Sequence, residues 1–474
     1  MEQQNNATPK RRPNPRRRRR SKLRRFLNTY TPTIVVGVIL ILFIIFIAGS
    51  ISRSNARREQ ARNESIAAEQ SAAQLQLEQE TEANRLIAQA EILAAGCDYD
   101  GAIALLDSFS GNFYDFDNLI ACRDAYVLAK EGLIPWSQPG NVMTLSFHQL
   151  IVDPQKAFSD DRYGDSYPYH YITTSEFTAI LQELYDNGYI LVDFTDFIEE
   201  AENADGSVSL STGTLYLPEG KKPLMLVQNQ ANYYTYMVDS DGDGLADKGG
   251  DGFASRLVVD NTGNLTCEYV DNSGSTVTGN YDLVPILEDF IARNPGFSYR
   301  GARAVISVSG YDGLFGYRTN PDAKDTLGET EYQRQLEELP VVVETLKQKG
   351  YRIACYTYGN VAYGSMTADQ IQADLAKWNE EVTPLLGQVD TLVFAKNSDI
   401  SEDTNAYSGD KFHVLNNAGF RYFIGFWDAG NIYSAVTRNQ VRTGRLMVTG
   451  NNLEKNPAMF DGIFTPAAVL DTSR

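Results

Sequence analysis

Histidine is scarce in this chain. Among 474 residues there are three, His148, His170 and His413, and no two are spaced as a metal-binding pair. Cysteine is nearly as rare, and Cys97, Cys122, Cys267 and Cys355 include no close-spaced couple, which excludes a two-plus-two structural zinc site. Cys97 and Cys122 fall on segments that read as adjacent helices, where an outward-facing chain could bridge them; four free thiols is the other reading. No glycine-rich phosphate loop follows an apolar run. The stretch GYDGLFGY after Ser309 has neither recognised form, so nucleotide binding is excluded. Ser309 also lacks the spacing of a nucleophile elbow and a histidine partner, which removes a serine esterase.

Positive charge is confined to one end. Residues 1–25 carry +10 from their side chains, leaving −29 on the remainder of a chain whose net charge is −19. An acidic bulk argues against nucleic acid as the partner. The basic end precedes TIVVGVILILFIIFIAGSI, an uncharged run about as long as a membrane helix requires. This predicts a basic cytoplasmic tail (1–32), a transmembrane helix (33–51) and everything after it outside the cell, with Arg16–Arg20 against anionic lipid. A cleaved signal peptide, with Ala48 and Ser50 near the cut, and a nucleic-acid-binding arm are the alternatives.

From 52 to 96 the chain is rich in Ala, Glu, Gln and Arg and contains no proline, which predicts a helical stalk stopped by Gly96. It has no sustained heptad of large apolar residues, so a long coiled coil is not expected. Residues 97–135 read as a small helical hairpin of the tetratricopeptide kind, a single unit and too little for a solenoid.

Residues 141–474 alternate short apolar runs with amphipathic stretches, the pattern of a parallel α/β domain. About seven strands are expected, among them VMTLSFHQL, LMLVQN, RAVISVSG, YRIACYTYG, TLVFAKNSD and RYFIGFWDAG, with GRLMVTG and DGIFTP as edge or closing strands. Residues 236–280 read as a polar excursion. The count suits a closed or nearly closed barrel, with an open doubly wound sheet as runner-up. Ligands in such folds bind at the carboxyl ends of the strands. Gln228, Asn229 and Gln230, after the most apolar strand, are therefore expected to decide the chemistry. All three are neutral and serve neither as a general base nor as an anionic metal ligand.

The order of segments resembles the extracellular polysaccharide deacetylases, carbohydrate esterases that share the domain first known from nodulation-factor deacetylase. The resemblance rests on FHQLIVD (147–153), TTSEFTAILQELYDNGYILVDFTDFI (173–198), ANYY (231–234), KGYRIACYTYGN (349–360) and GFRYFIGF (419–426), and spans roughly 141–450. It implies a distorted (β/α) barrel of the deacetylase type. Members remove acetyl groups from cell-wall glycan with a divalent metal. The family's two aspartates, base and ligand, fall here on Asn229 and Gln230, and its two histidines on Tyr356 and Asn360. Its arginine–proline–tyrosine motif falls on Phe394–Asn397 and keeps none of its chemistry. A zinc site that activates water takes His, Asp or Glu ligands and a nearby carboxylate, which amides and a phenol do not replace.

The expected protein is thus membrane-anchored and deacetylase-like, degenerate in catalysis, and binds or organises cell-wall glycan or docks envelope proteins. A divergent active carbohydrate enzyme is the alternative; it would need carboxylates such as Asp312, Asp399 and Asp461 to converge. His148, Tyr233, Tyr234, Tyr358, Asp399, Trp427 and Asp461 are the candidates for lining the cleft. Separately, DSDGDGLADKGG places Asp239, Asp241, Asp243, Gly244 and Asp247 at positions 1, 3, 5, 6 and 9 of a calcium loop, with Gly250 at position 12 beside Asp251. This predicts Ca2+ at 239–251 in a bracing role, with a solvated acidic turn as the alternative.

Overall fold

The computed structural model describes residues 16–159, 162–426 and 433–474, and of residues 16–30 the helical backbone alone. The chain divides into two compact units, 1–82 and 83–474. Helix α1, Arg16–Ala95, runs from the first into the second. It contains an 18-residue window of mean hydropathy 3.2, none of it buried, and is long and apolar enough to cross a membrane.

In the second unit the end of α1 packs on α2 (Tyr99–Asp107) and α3 (Asp117–Glu131) around Ala83, Leu86, Ala90, Ala102, Leu106 and Leu119. The helix ends at Ala95, with Gly96 as the expected stop, and the left-handed residue is the next one, Cys97, at φ 62°. Gly96 is needed for closeness, because a Cβ there would lie 2.6 Å from the Ser298 carbonyl oxygen. All four cysteines are free thiols; Cys97 belongs to the barrel-side core and Cys122 to the hairpin.

The rest is a mixed α/β region built on a closed barrel of seven parallel strands: β1 (Met143–Phe147), β3 (Lys222–Gln228), β4 (Val305–Val308), β5 (Arg352–Cys355), β6 (Thr391–Val393), β7 (Tyr422–Phe426) and β8 (Gln440–Met447). Each pairs with the next, and β8 returns to β1 through Leu446↔Leu145. The short β2 (Tyr189–Leu191) pairs with the amino half of β3, while the carboxyl half of β3 turns to β4. That shared strand is the distortion of the barrel. Alternation then divides the core. Leu145, Leu226, Ile306, Ile353 and Phe423 face the helices, whereas Met225, Val227, Ala354, Tyr356, Ile424 and Val441 belong to the inner cluster.

The covering helices start and stop on local signals. Thr173 caps α4 (Thr174–Asp186) in a capping box with Glu176. Asp282 precedes α5 (Leu283–Arg293), and Gly350, at φ 95°, ends α6 (Glu329–Lys349).

Two segments differ from the sequence reading. The polar excursion contains a three-stranded antiparallel sheet, Arg256–Val259, Leu265–Val270 and Thr276–Gly279, whose Leu257 and Cys267 join the helix-side core. DGIFTP is not a strand. Phe464 stacks on Phe460 at 4.7 Å and Pro466 opens a short helix, Pro466–Val469. GRLMVTG supplies β8, which closes the ring.

Candidate functional site

The carboxyl ends of the barrel strands form the mouth, and its backbone is strained. Seven non-glycine residues there are left-handed: Gln230 and Tyr233 after β3, Phe315 after β4, Thr357 and Asn360 after β5, Lys396 and Asn397 after β6. Such conformations cost of order 1–3 kcal/mol each and persist where the surroundings over-determine them. Thr357 is β-branched and the most unusual of the set; its hydroxyl accepts the Val361 N–H at 2.9 Å.

Three neutral residues follow β3, and they face different ways. Gln228 points to the helix side, donating at 2.6 Å to Asp282. Burial raises the Asp282 carboxyl above its ordinary value. Asn229 is wholly buried; its amide nitrogen lies 3.4 Å from Met447 Sδ, and its Oδ1 has no partner. Gln230 donates to Asn360 Oδ1 at 2.8 Å. Two positions that the resemblance matches to metal ligands, on different loops, thus hydrogen-bond to each other.

Sequence reasoning missed Arg445. Its guanidinium is fully buried inside the barrel, donating to the Ile424, Gly425 and Phe394 carbonyls at 2.9, 3.1 and 2.8 Å. Its charge also acts on the Tyr356 side chain, at the other position that the resemblance matches to a ligand. No carboxylate pairs with it among the described residues, and burial lowers its pKa. A lone arginine in an apolar run, in a segment read as an edge or closing strand, gave no warning of this. A fixed guanidinium here opposes a second cation.

His148 follows β1, its ring 5.4 Å from that of Tyr171. Burial, then His170 and Arg445, pulls its pKa down to about 3, so the imidazole is neutral; Nδ1 is enclosed without a partner. His170 and His413 are exposed and join no cluster with it.

The rim is aromatic. Tyr234 bonds Ser309 Oγ at 2.9 Å and stacks on Tyr236 and Tyr311, at 5.9 and 5.5 Å between ring centres. Tyr236 and Tyr311 remain 38% and 43% exposed. Buried Asn232 fixes the loops beneath them, donating to the Ser309 carbonyl at 2.6 Å and accepting the Ser309 N–H at 3.0 Å.

Several sequence candidates fall elsewhere. Tyr233 is buried toward α5, its hydroxyl 3.6 Å from Cys267 Sγ, because its left-handed backbone turns it away from Tyr234. Tyr358 packs into the helix-side core and donates to Glu381 at 2.6 Å. Asp461 is exposed beside Gly462, whose carbonyl accepts from Tyr189 at the amino end of β2. Asp399 lies close to Gly425 near the mouth but is engaged by Tyr407 at 2.7 Å and Arg442 at 3.0 Å. Asp312 accepts from Thr235 at 2.8 and 2.9 Å. Asp399 and Asp312 are thus held by separate partners, and Asp461 lies at the other end of the barrel. Trp427 lies outside the described residues.

Among the described residues one cluster has the composition of a cation site. Asp239, Asp241 and Asp247 bring carboxylate oxygens within 4.8 Å of one another; Asp241 is exposed and the other two half-buried. Asp239 accepts the N–H groups of Asp241, Gly242 and Gly244, with Gly244 at φ 85° as the sixth loop position demands. Asp243 is outside the cluster and accepts from Leu245 N–H at 2.8 Å. Asp251 accepts from Tyr167 at 2.5 Å.

No family model matches this chain. No curated protein matches it either. Among solved structures it bears a weak resemblance to the Streptococcus pyogenes deacetylase PplD in complex with acetate, with 10% identity, a TM-score of 0.32, and coverage of 71% of this chain and 100% of that one.

Proposed function

We propose that this is a membrane-anchored envelope protein whose deacetylase-like barrel binds or organises cell-wall glycan and does not hydrolyse it. The observation that carries the reading is the Gln230–Asn360 hydrogen bond, set beside Arg445 on Tyr356. Side chains matched to metal ligands are committed to one another or to an internal cation, so water has no activating group. The strained loops and the exposed Tyr236 and Tyr311 rings support a retained binding role, since aromatic faces with a few polar groups suit a saccharide.

In this reading residues 1–32 are cytoplasmic, 33–51 cross the membrane, 52–96 form the stalk, 97–135 the hairpin, and 141–474 the extracellular domain. The basic flank motivates the orientation. The aspartates of the 239–251 loop bind Ca2+ weakly and brace the rim.

The test uses the full chain in lipid nanodiscs with acetylated chitooligosaccharide and with peptidoglycan fragments, in zinc, cobalt or manganese. The expected result is no acetate above the protein-free control, with saccharide binding weakened by Tyr311→Ala. Metal-dependent acetate release would overturn the proposal.

A further inference from the structure

At the opposite face, two connected depressions open beside the amino ends of the strands, about 410 and 380 Å³ in volume. They share Asp196, Tyr299 and Arg300. The larger is walled by the hairpin through Tyr99, Asp100 and Lys130 and by Tyr216 from the barrel side. The junction is held tightly: Arg300 N–H donates to the Gly96 carbonyl at 2.8 Å. Cys97 and Arg300, on its two sides, are the left-handed non-glycine residues away from the mouth, at φ 62° and 49°.

The charges of this groove decide what it can hold. Asp100 takes both Lys130 and Arg300, the latter at 3.6 Å, and Asp193 takes Arg352 at 2.6 Å. Every cation is committed, so no positive excess remains to hold a phosphate or a carboxylate. Asp196 is different. One carboxyl oxygen accepts the Asp193 N–H at 2.8 Å, and the other has no hydrogen-bond donor among the described residues. Burial and the Asp193 charge push its pKa up to about 7, so near neutrality it offers a donor as well as an acceptor. The Tyr216 ring is 48% exposed, and Tyr99 keeps part of its ring open. Glu131 adds a further carboxylate to the wall, so the groove has no positive surplus and disfavours anions; aromatic faces beside a donor–acceptor group then match a neutral polyhydroxylated ligand.

We infer that the groove between the hairpin and the amino end of the barrel is a second ligand site, for neutral saccharide, with Tyr216 and Tyr99 stacking on sugar rings and Asp196 hydrogen-bonding their hydroxyls. It stands independently of the reading of the mouth.

The test is saturation-transfer NMR and calorimetry on the full chain in nanodiscs free of sugar detergents, with chitotetraose, cellotetraose and mannotetraose. At least one is expected to bind with a Kd on the order of 1 mM. Tyr216→Ala and Asp196→Leu each weaken it ten-fold or more, Asp196→Asn weakens it less than three-fold, and Tyr311→Ala at the mouth leaves it unchanged. Tyr216 is half-exposed on a two-residue strand, and unchanged circular dichroism of its variant verifies the fold. Absence of binding by all three probes, or binding insensitive to Tyr216→Ala and Asp196→Leu, overturns the inference. Binding lost with Tyr311→Ala alone overturns it while sustaining the reading of the mouth.

Discussion

The two ends of the barrel are built on opposite principles. At the amino end charges meet charges: Arg352 bridges Asp193 and Asp390 at 2.6 and 3.0 Å, and Arg421 links Asp390 to Glu200 at 3.5 and 3.8 Å. Tyr422 closes the net on Glu200. At the carboxyl end, amides meet amides, left-handed residues crowd the turns, and His148 Nδ1, Asn229 Oδ1 and Arg445 Nε are buried without partners. Arg421 Nε is also enclosed without a partner, but its network is charge-paired and stabilises, whereas the orphaned atoms and strained turns of the mouth cost stability. The cost gathers at the mouth.

The largest expected effect tests the stable end. Arg352→Ala leaves the half-buried Asp193 without its cation and Asp390 with Arg421 alone, and should cost about 3–5 kcal/mol in denaturant unfolding of the full chain. Asn360→Ala removes one part-buried amide bond at the mouth and should cost only about 1 kcal/mol.

A second experiment asks whether Arg445 opposes a metal at the mouth. Gln230→Asp with Tyr356→His and Asn360→His should remain a poor zinc binder while Arg445 stands. Adding Arg445→Met should tighten zinc by about ten-fold or more, each ten-fold being 1.4 kcal/mol. Equal zinc affinity with and without Arg445 would remove the guanidinium from the explanation.

The two ends should also answer pH in opposite senses. His148 is held at about 3 in the fold, below the 6.5 of an ordinary histidine, so the unfolded chain binds the extra proton and stability falls as pH drops below about 6.5. Asp196 is held at about 7, above 3.8, so its contribution is full at low pH and is lost as pH rises toward 7. Each slope should amount to about 1–2 kcal/mol after partial exposure is discounted. His148→Asn should flatten the first slope and Asp196→Asn the second, read from unfolding curves between pH 4 and 8.

Thr357→Gly should relieve its left-handed strain and raise stability by about 1 kcal/mol in thermal unfolding. The smallest shift belongs to the acidic loop. Millimolar calcium should add less than about 1 kcal/mol, an increment that Asp239→Asn with Asp241→Asn abolishes.

Much of the barrel was legible because parallel strands buried on both faces read as apolar runs. The α4 cap was legible because Thr173 and Glu176 carry their own signal. The sheet at 256–279 was not. Its strands alternate and are joined by tight turns on Asp260 and Asp271, so composition shows polarity without pairing. Gln230 and Asn360 could be named from the sequence, since their loops keep the family's spacing; their mutual bond could not. Tyr233 and Tyr234 differ in destination because of one backbone angle that two adjacent tyrosines do not announce. Arg445 was invisible because a basic residue in a strand ordinarily points to water, and only ring closure turns it inward.

Ring closure has one more consequence. Seven strands joined end to start leave no row of vacant amides for another chain to copy. In the described barrel the borders still open are the three residues of β2 and the four of Ser434–Thr437. The barrel would thereby resist templated association, even when heat or acid loosens its mouth.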